Sequence, residues 1–200
     1  RLVREGLRAL LSQRKDIAIV GEAEDGRQAL ELVQRHAPNI VILDVSMPNL
    51  NGIDTAQRIL AACPAARIIC LSMHAEQHFV ARMVRAGVYG YLIKECAYDE
   101  LLRAIDDVMQ GRVYFSACVT THALNALTQT GQKAAFVLSR REREILQLIA
   151  ENHSTKEIAC IVGVSPKTVD TYRARLLEKT GARGIADLVK IAIREGLTEL

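Results

Sequence analysis

Three polar residues stand where apolar runs stop. Asp44 follows the run at 40–43 in IVILDVSMPNLNG, Ser72 follows 68–71 in IICLSMH, and Lys94 follows 88–93, which ends in YLIKE. Each type brings chemistry suited to phosphate. A carboxylate can attack phosphorus and form an acyl phosphate, a lysine supplies a counter-charge, and a serine hydroxyl donates to a phosphoryl oxygen. A polar residue that closes a strand is ordinarily just solvated, so each alone says little. Three of them make a candidate phosphoryl-transfer site, provided that the fold brings those strand ends to one edge.

The surrounding pattern meets that condition. Short apolar runs at 17–20, 40–43, 68–71 and 88–93 are expected as strands, and helical periodicity marks 2–11, 26–36, 53–62, 75–86 and 98–110. Strands apolar on both faces and separated by helices indicate a doubly wound α/β domain with a parallel sheet. Ligand chemistry in such a fold sits beyond the carboxyl ends of the strands. Pro48, Asn49, Asn51 and Gly52 turn the chain just after Asp44.

Composition excludes several other classes. Half of the 200 residues are hydrophobic and 24% are charged, as in ordinary soluble domains, and the length allows one or two of them. No apolar run reaches the length of a membrane span and no signal-peptide pattern opens the chain, so a cytoplasmic protein with no membrane partner is expected. Five cysteines form no CxxC and read as reduced thiols. His74 and His78 could share a metal, but no third ligand follows at useful spacing. The net charge is +3, with 15 basic and 14 acidic residues before Ser139 and 11 and 9 from there on. Any basic surface must therefore be local.

ILDVSMPNLNG, LSMH and AGVYGYLIKE, at their spacing, resemble the response-regulator receiver domain over residues 1–110. The resemblance implies Asp44 as phosphoacceptor, Lys94 as the phosphate-binding lysine, Ser72 as the switch hydroxyl and Tyr91 as the switch aromatic. It implies Mg2+ for phosphorylation, held by Asp44 and the backbone carbonyl of Ser46. It also implies a flavodoxin-like strand order of 2-1-3-4-5, in which a first strand ends in an acidic pair that completes the metal site. This chain carries neither that strand nor that pair. The expectation is therefore a receiver whose first strand, between 17–20 and 40–43, is missing from an N-terminally incomplete chain. Glu24 and Asp25 follow a different strand and do not replace the pair.

Beyond Gly111 the pattern weakens, and 111–137 is expected as a linker. Residues 138–200 then read as helices only, at about 140–151, 155–162, 166–179 and 184–195. Ser139 with Glu142, and Ser154 with Glu157, fit capping boxes, and Ser165-Pro166 is a third helix start. TKEIACIVGVSPKTVDTYRARLLEKTGA gives helix, turn and helix, with Val169, Tyr172 and Leu176 on one face of the second. By residues alone, this is either a helix–turn–helix for the major groove or a plain bundle with a charged, solvated face.

The run from LSRREREILQLIAENHSTKEIA through VSPKTVDTYRARLLEKTGA to IAIREGL resembles the LuxR-type DNA-binding domain of the NarL/FixJ class of response regulators. That resemblance implies base-facing positions at Lys167, Asp170, Thr171 and Ala174. Phosphate contacts would come from Lys156, Thr168, Arg173 or Arg175. The two resemblances together imply a two-component transcriptional regulator rather than an enzyme. Its expected partners are double-stranded DNA, a sensor histidine kinase and a second copy of itself, with phosphorylation controlling dimerisation and DNA binding. A receiver-like regulator that works without phosphate, and an aspartyl-phosphate phosphatase of α/β fold, are the alternatives.

Overall fold

The computed structural model describes residues 2–73, 75–95, 97–128 and 138–198. His74 and residues 129–137 of the expected linker lie outside them.

Among the described residues, four parallel strands form one sheet in the order β1 (Ile40–Asp44), β2 (Arg67–Ser72), β3 (Gly90–Ile93), β4 (Tyr114–Phe115). Ile42 pairs with Ile69 and Asp44 with Leu71, while Ser72 pairs with Ile93, so the carboxyl ends of β1, β2 and β3 meet at one edge. Alternation along β2 divides the core. Ile68 and Cys70 enter a cluster with Ile53, Ile59, Met83 and Tyr91, beneath helices α2 (Gly26–His36), α3 (Gly52–Ala62) and α4 (Gln77–Ala86). Ile69 and Leu71 face the other way, against α1 (Leu2–Leu11) and α5 (Ala97–Met109), with Leu7, Leu101 and Val108. The sheet is thus covered on both faces, as its uninterrupted apolar strands require.

Two expectations are corrected by this arrangement. Residues 17–20 form no strand, although the run is apolar. A strand needs a neighbour to take its backbone groups, and a cavity of about 1090 Å³ separates this segment from β1. In addition, 114–128 is built into the first domain. Tyr114–Phe115 adds the fourth strand, and α6 (Ala117–Thr128) packs on α4 with Val119 and Ala123 in the core.

The C-terminal helices are α7 (Arg140–Ala150), α8 (Thr155–Val162), α9 (Pro166–Thr180) and α10 (Ile185–Arg194). Local chemistry sets their ends. Ser139 and Ser154 each accept from the backbone of the third helical residue, and Glu142 and Glu157 accept in return. Ser165 caps α9, with proline at its first position. Gly163, at φ 69°, turns α8 toward α9. Ile145, Leu148, Ile158, Val169, Leu176 and Leu188 form a separate buried core.

The two domains touch through α7 and the end of α10. Arg143 pairs with Asp54, Glu144 with Arg27 and Arg58, and Arg82 of α4 donates to Glu195. Gly196 adopts φ 63° and lies against Phe79, where a Cβ would come within 1.8 Å of the ring.

Candidate phosphoacceptor site and DNA-facing helix

Asp44 closes β1 and Lys94 follows β3. The Lys94 ammonium lies 2.6 Å from Asp44 Oδ2, and the Ser46 amide donates to Oδ1 at 3.0 Å. The Asp44 side chain is 35% exposed and that of Lys94 15%, so the pair is reachable from solvent. The Lys94 amide also donates to the Ser72 carbonyl at 2.9 Å, which ties the ends of β2 and β3 together. Asp44, Ser46, Met47 and Lys94 line one end of the cavity beside β1.

The turn after Asp44 depends on a close approach. A Cβ on Gly52 would stand 2.2 Å from the Asp44 carbonyl oxygen and 2.7 Å from Val45 Cα. Backbone cannot rotate aside as a side chain can, so only glycine fits. The Gly52 amide donates to Val45 O at 2.8 Å and brings the start of α3 under the site. Asn51 caps α3 by accepting from the Asp54 amide.

Ser72 and Tyr91 are fully buried. Burial pushes the Tyr91 phenol well above its ordinary value, and a hydrogen bond with Ser72 partly offsets this. The Tyr91 side chain is already turned inward here. Of the magnesium donors, Asp44 and Ser46 stand together at the strand end. They suit a hard cation that prefers oxygen, but they are one carboxylate and one carbonyl. Among the described residues no three acidic, histidine or cysteine groups gather to hold a metal. Asp25 is engaged elsewhere, capping α2 and accepting from Asn49 Nδ2. The two donors fit magnesium in kind.

On α9, Lys167, Asp170, Thr171, Ala174 and Arg175 are exposed, whereas Val169 and Leu176 are buried. Lys156 is exposed on α8. The hydroxyl of Thr168 bonds Ser165 at 2.8 Å and so belongs to the cap. Arg173 Nη2 donates to Thr155 at 3.3 Å, bracing α9 on α8. Arg175 lies over the Tyr172 ring, 6.0 Å from its centroid. The structure thus gathers Lys167, Asp170, Thr171 and Ala174 on one open face and turns Thr168 and Arg173 toward their own domain.

Sequence reasoning missed the polar residues between the domains. Asn51, Asp54, Glu144 and Gln147 are all at most 1% exposed. In sequence they are a helix cap, a first-turn aspartate and two polar residues of an amphipathic helix, and nothing local marks them.

A carboxylate, a lysine and a hydroxyl at the ends of a parallel sheet, followed by a helix–turn–helix, define a phosphoryl-receiving regulator with a DNA-binding output. Comparison with known proteins agrees. Residues 1–106 match the response regulator receiver domain, and residues 136–192 match the luxR family of bacterial regulatory proteins. The response regulator UvrY of Escherichia coli K12 is 34% identical over 198 residues, covering 98% of this chain and 91% of that protein. The response regulator GacA of Pseudomonas aeruginosa is 31% identical, covering 99% and 94%. Among solved structures, the RcsB response regulator of Salmonella typhimurium superposes with a TM-score of 0.58 at 25% identity, covering 97% and 94%. The chain belongs to the response-regulator family, in the class with a LuxR-type helix–turn–helix.

Proposed function

We propose that Asp44 accepts a phosphoryl group from a sensor histidine kinase, and that this state controls dimerisation and DNA binding through α9. The observation that carries the reading is the Asp44–Lys94 pair, 2.6 Å apart at the sheet edge and open to solvent. In the transfer, an Asp44 oxygen attacks phosphorus as the bond from phosphorus to the kinase's histidine nitrogen breaks. An acyl phosphate forms, and the electron pair leaves with the imidazole nitrogen. Lys94 moves from the carboxylate to the new phosphoryl oxygens, and the Ser72 hydroxyl donates to one of them. Releasing Ser72 from Tyr91 carries the change to α4 and α6, which pack around that ring. Asp44 and the Ser46 carbonyl would hold magnesium, which when bound offsets charge on the phosphoryl oxygens.

On α9, Lys167, Asp170, Thr171 and Ala174 would face base edges, with Arg175 of α9 and Lys156 of α8 near phosphates. Among the described residues no helix is long and apolar enough to cross a membrane. We place the protein in the cytoplasm with its DNA, as a regulator rather than an enzyme. The test is intact-mass labelling of the full-length protein with acetyl phosphate and magnesium. One phosphate per chain, absent in Asp44→Asn, is expected; labelling that survives the substitution moves the acceptor elsewhere. Catalytic turnover of small phosphoesters would favour a phosphatase.

A further inference from the structure

We propose that α9 chooses its operator with two adjacent side chains: the Asp170 carboxylate accepts from the amino group of a cytosine, and the Thr171 methyl packs against the methyl of a thymine. The proposal rests on the reading that the open face of α9 enters the major groove, and it adds which bases that face selects. A recognition helix meets base edges with its first turns. In α9 those turns bring Lys167, Asp170 and Thr171 to solvent, while Val169 between them is buried. Ala174, one turn further, adds only a methyl and lets the helix approach the groove closely.

Asp170 is the less ordinary of the two, since a carboxylate is repelled by the phosphates on either side of the groove. Its side chain is 63% exposed, and Arg173 Nη1 lies 4.0 Å from Oδ1. That guanidinium offsets part of the charge from beyond hydrogen-bonding distance, so the carboxylate remains able to accept from a base. An ionised carboxylate only accepts. Cytosine presents an amino donor with no acceptor beside it, whereas adenine sets N7 beside its amino group, and guanine and thymine present acceptors. A base other than cytosine therefore leaves the carboxylate dehydrated and poorly paired, which makes Asp170 a means of exclusion as much as of attraction.

Thr171 is committed in the opposite sense. Its hydroxyl donates to the Lys167 carbonyl at 3.0 Å, one turn back in the same helix. With that proton spent, the hydroxyl cannot donate to a guanine or thymine oxygen, and the γ-methyl is what remains for a base. Thymine is the base with a methyl group on its major-groove edge. Successive residues of a helix rise by about 1.5 Å and base pairs by about 3.4 Å, so Asp170 and Thr171 can address neighbouring base pairs. Lys167 is a flexible point charge, which favours binding without a comparable choice of base.

The test is selection of randomised duplex DNA by the full-length protein, treated with acetyl phosphate and magnesium, and by its variants. The wild type is expected to enrich a cytosine and a thymine at adjacent base pairs of each half-site. Asp170→Asn should exchange that cytosine for adenine by about tenfold or more, because an amide can donate to N7 and accept from N6, and should leave the thymine in place. On the selected duplex, deoxyuridine in place of thymidine removes the methyl alone. It should weaken the wild type and Thr171→Val by about threefold and leave Thr171→Ser unaffected. Three results overturn the assignment and leave the groove reading standing: a wild-type site without the cytosine and thymine, a cytosine preference that persists in Asp170→Asn, or a response to deoxyuridine that is the same in the wild type and Thr171→Ser. A wild type that enriches no sequence overturns the groove reading and the proposal with it.

Discussion

Asp44 and Asp54 lie on one stretch of chain, and each meets a base from a distant segment. Asp44 is 35% exposed and faces a single ammonium, that of Lys94. Asp54 is 1% exposed, is held at both oxygens by the Arg143 guanidinium, and accepts from Asn51 as well. On the proposed reading, the difference separates a phosphoacceptor from a structural carboxylate. A lysine is a point charge that can follow negative charge onto a phosphoryl group, while a two-pronged guanidinium fixes its carboxylate in place. Asp44 keeps a free approach for phosphorus. Asp54 has none.

The sharpest way to break this contrast is substitution of each aspartate. Asp44→Asn should abolish phosphate labelling of the full-length protein, because the amide cannot attack phosphorus, whereas Asp54→Asn should still label. Intact mass after acetyl phosphate treatment decides it, and loss of labelling in both would join the two aspartates in one site.

Arg143→Ala tests the structural pair. It would strand a buried carboxylate at a cost of about 3–5 kcal/mol if the interface stayed shut. Opening the interface lets water reach Asp54 and caps that cost. Domain separation is the expected outcome, seen as a larger radius of gyration in X-ray scattering, with the unfolding midpoint of each domain unchanged. A compact variant with a lowered midpoint would mean that the pair stabilises a single unit.

Gly52→Ala addresses the turn that joins the two aspartates. Its methyl would meet the Asp44 carbonyl and Val45 Cα, and the displaced backbone should lower stability by about 1–3 kcal/mol. Chemical denaturation measures this. An unchanged midpoint would show that α3 can withdraw from β1 freely.

The second domain invites the same kind of comparison between exposed side chains. Thr171→Ala should change the preferred base at one operator position by about 1–3 kcal/mol. Lys167→Ala should weaken binding to many sequences and reduce the salt slope by about 0.9. A panel of single-base operator variants at two salt concentrations separates the effects. If neither changes, the open face of α9 does not meet DNA.

The smallest effect is expected at Glu142, a third paired carboxylate. Burial pushes its pKa up, but Lys179 and the Ser139 cap outweigh burial and hold it below its ordinary 4.5. A folded-state value below the unfolded one means that its contribution is complete above about pH 4.5. It is lost as pH falls through the folded value. Glu142→Gln should therefore cost about 1 kcal/mol at pH 7, the scale of a capping interaction, and less at pH 3.5. Thermal melts at both pH values check the sign.

Much of this was legible in the chain itself. The strands at β1 to β3, the three polar residues at their ends and both capping boxes depend on period and on partners a few residues away. Local backbone physics is enough for those, and the helix–turn–helix face followed from the same period. The run at 17–20 was misread because strand formation depends on a neighbour, which an apolar pattern does not supply. The expected linker hid a fourth strand and a packed helix for a similar reason: Tyr114 and Phe115 become a strand only by pairing with Gly90 and Tyr91.

What tertiary structure alone decided is the assignment of roles among like residues. Asn51 finds Gln147 at a separation of 96 residues, Asp54 finds Arg143 at 89, and Arg27 finds Glu144 at 117. No periodicity encodes such pairs. Whether a carboxylate is solvated, reactive or locked depends on which groups close around it and on how much water they exclude. Sequence placed Asp44 at a strand end, and only the folded chain, by leaving Asp44 open and enclosing Asp54, distinguished the two.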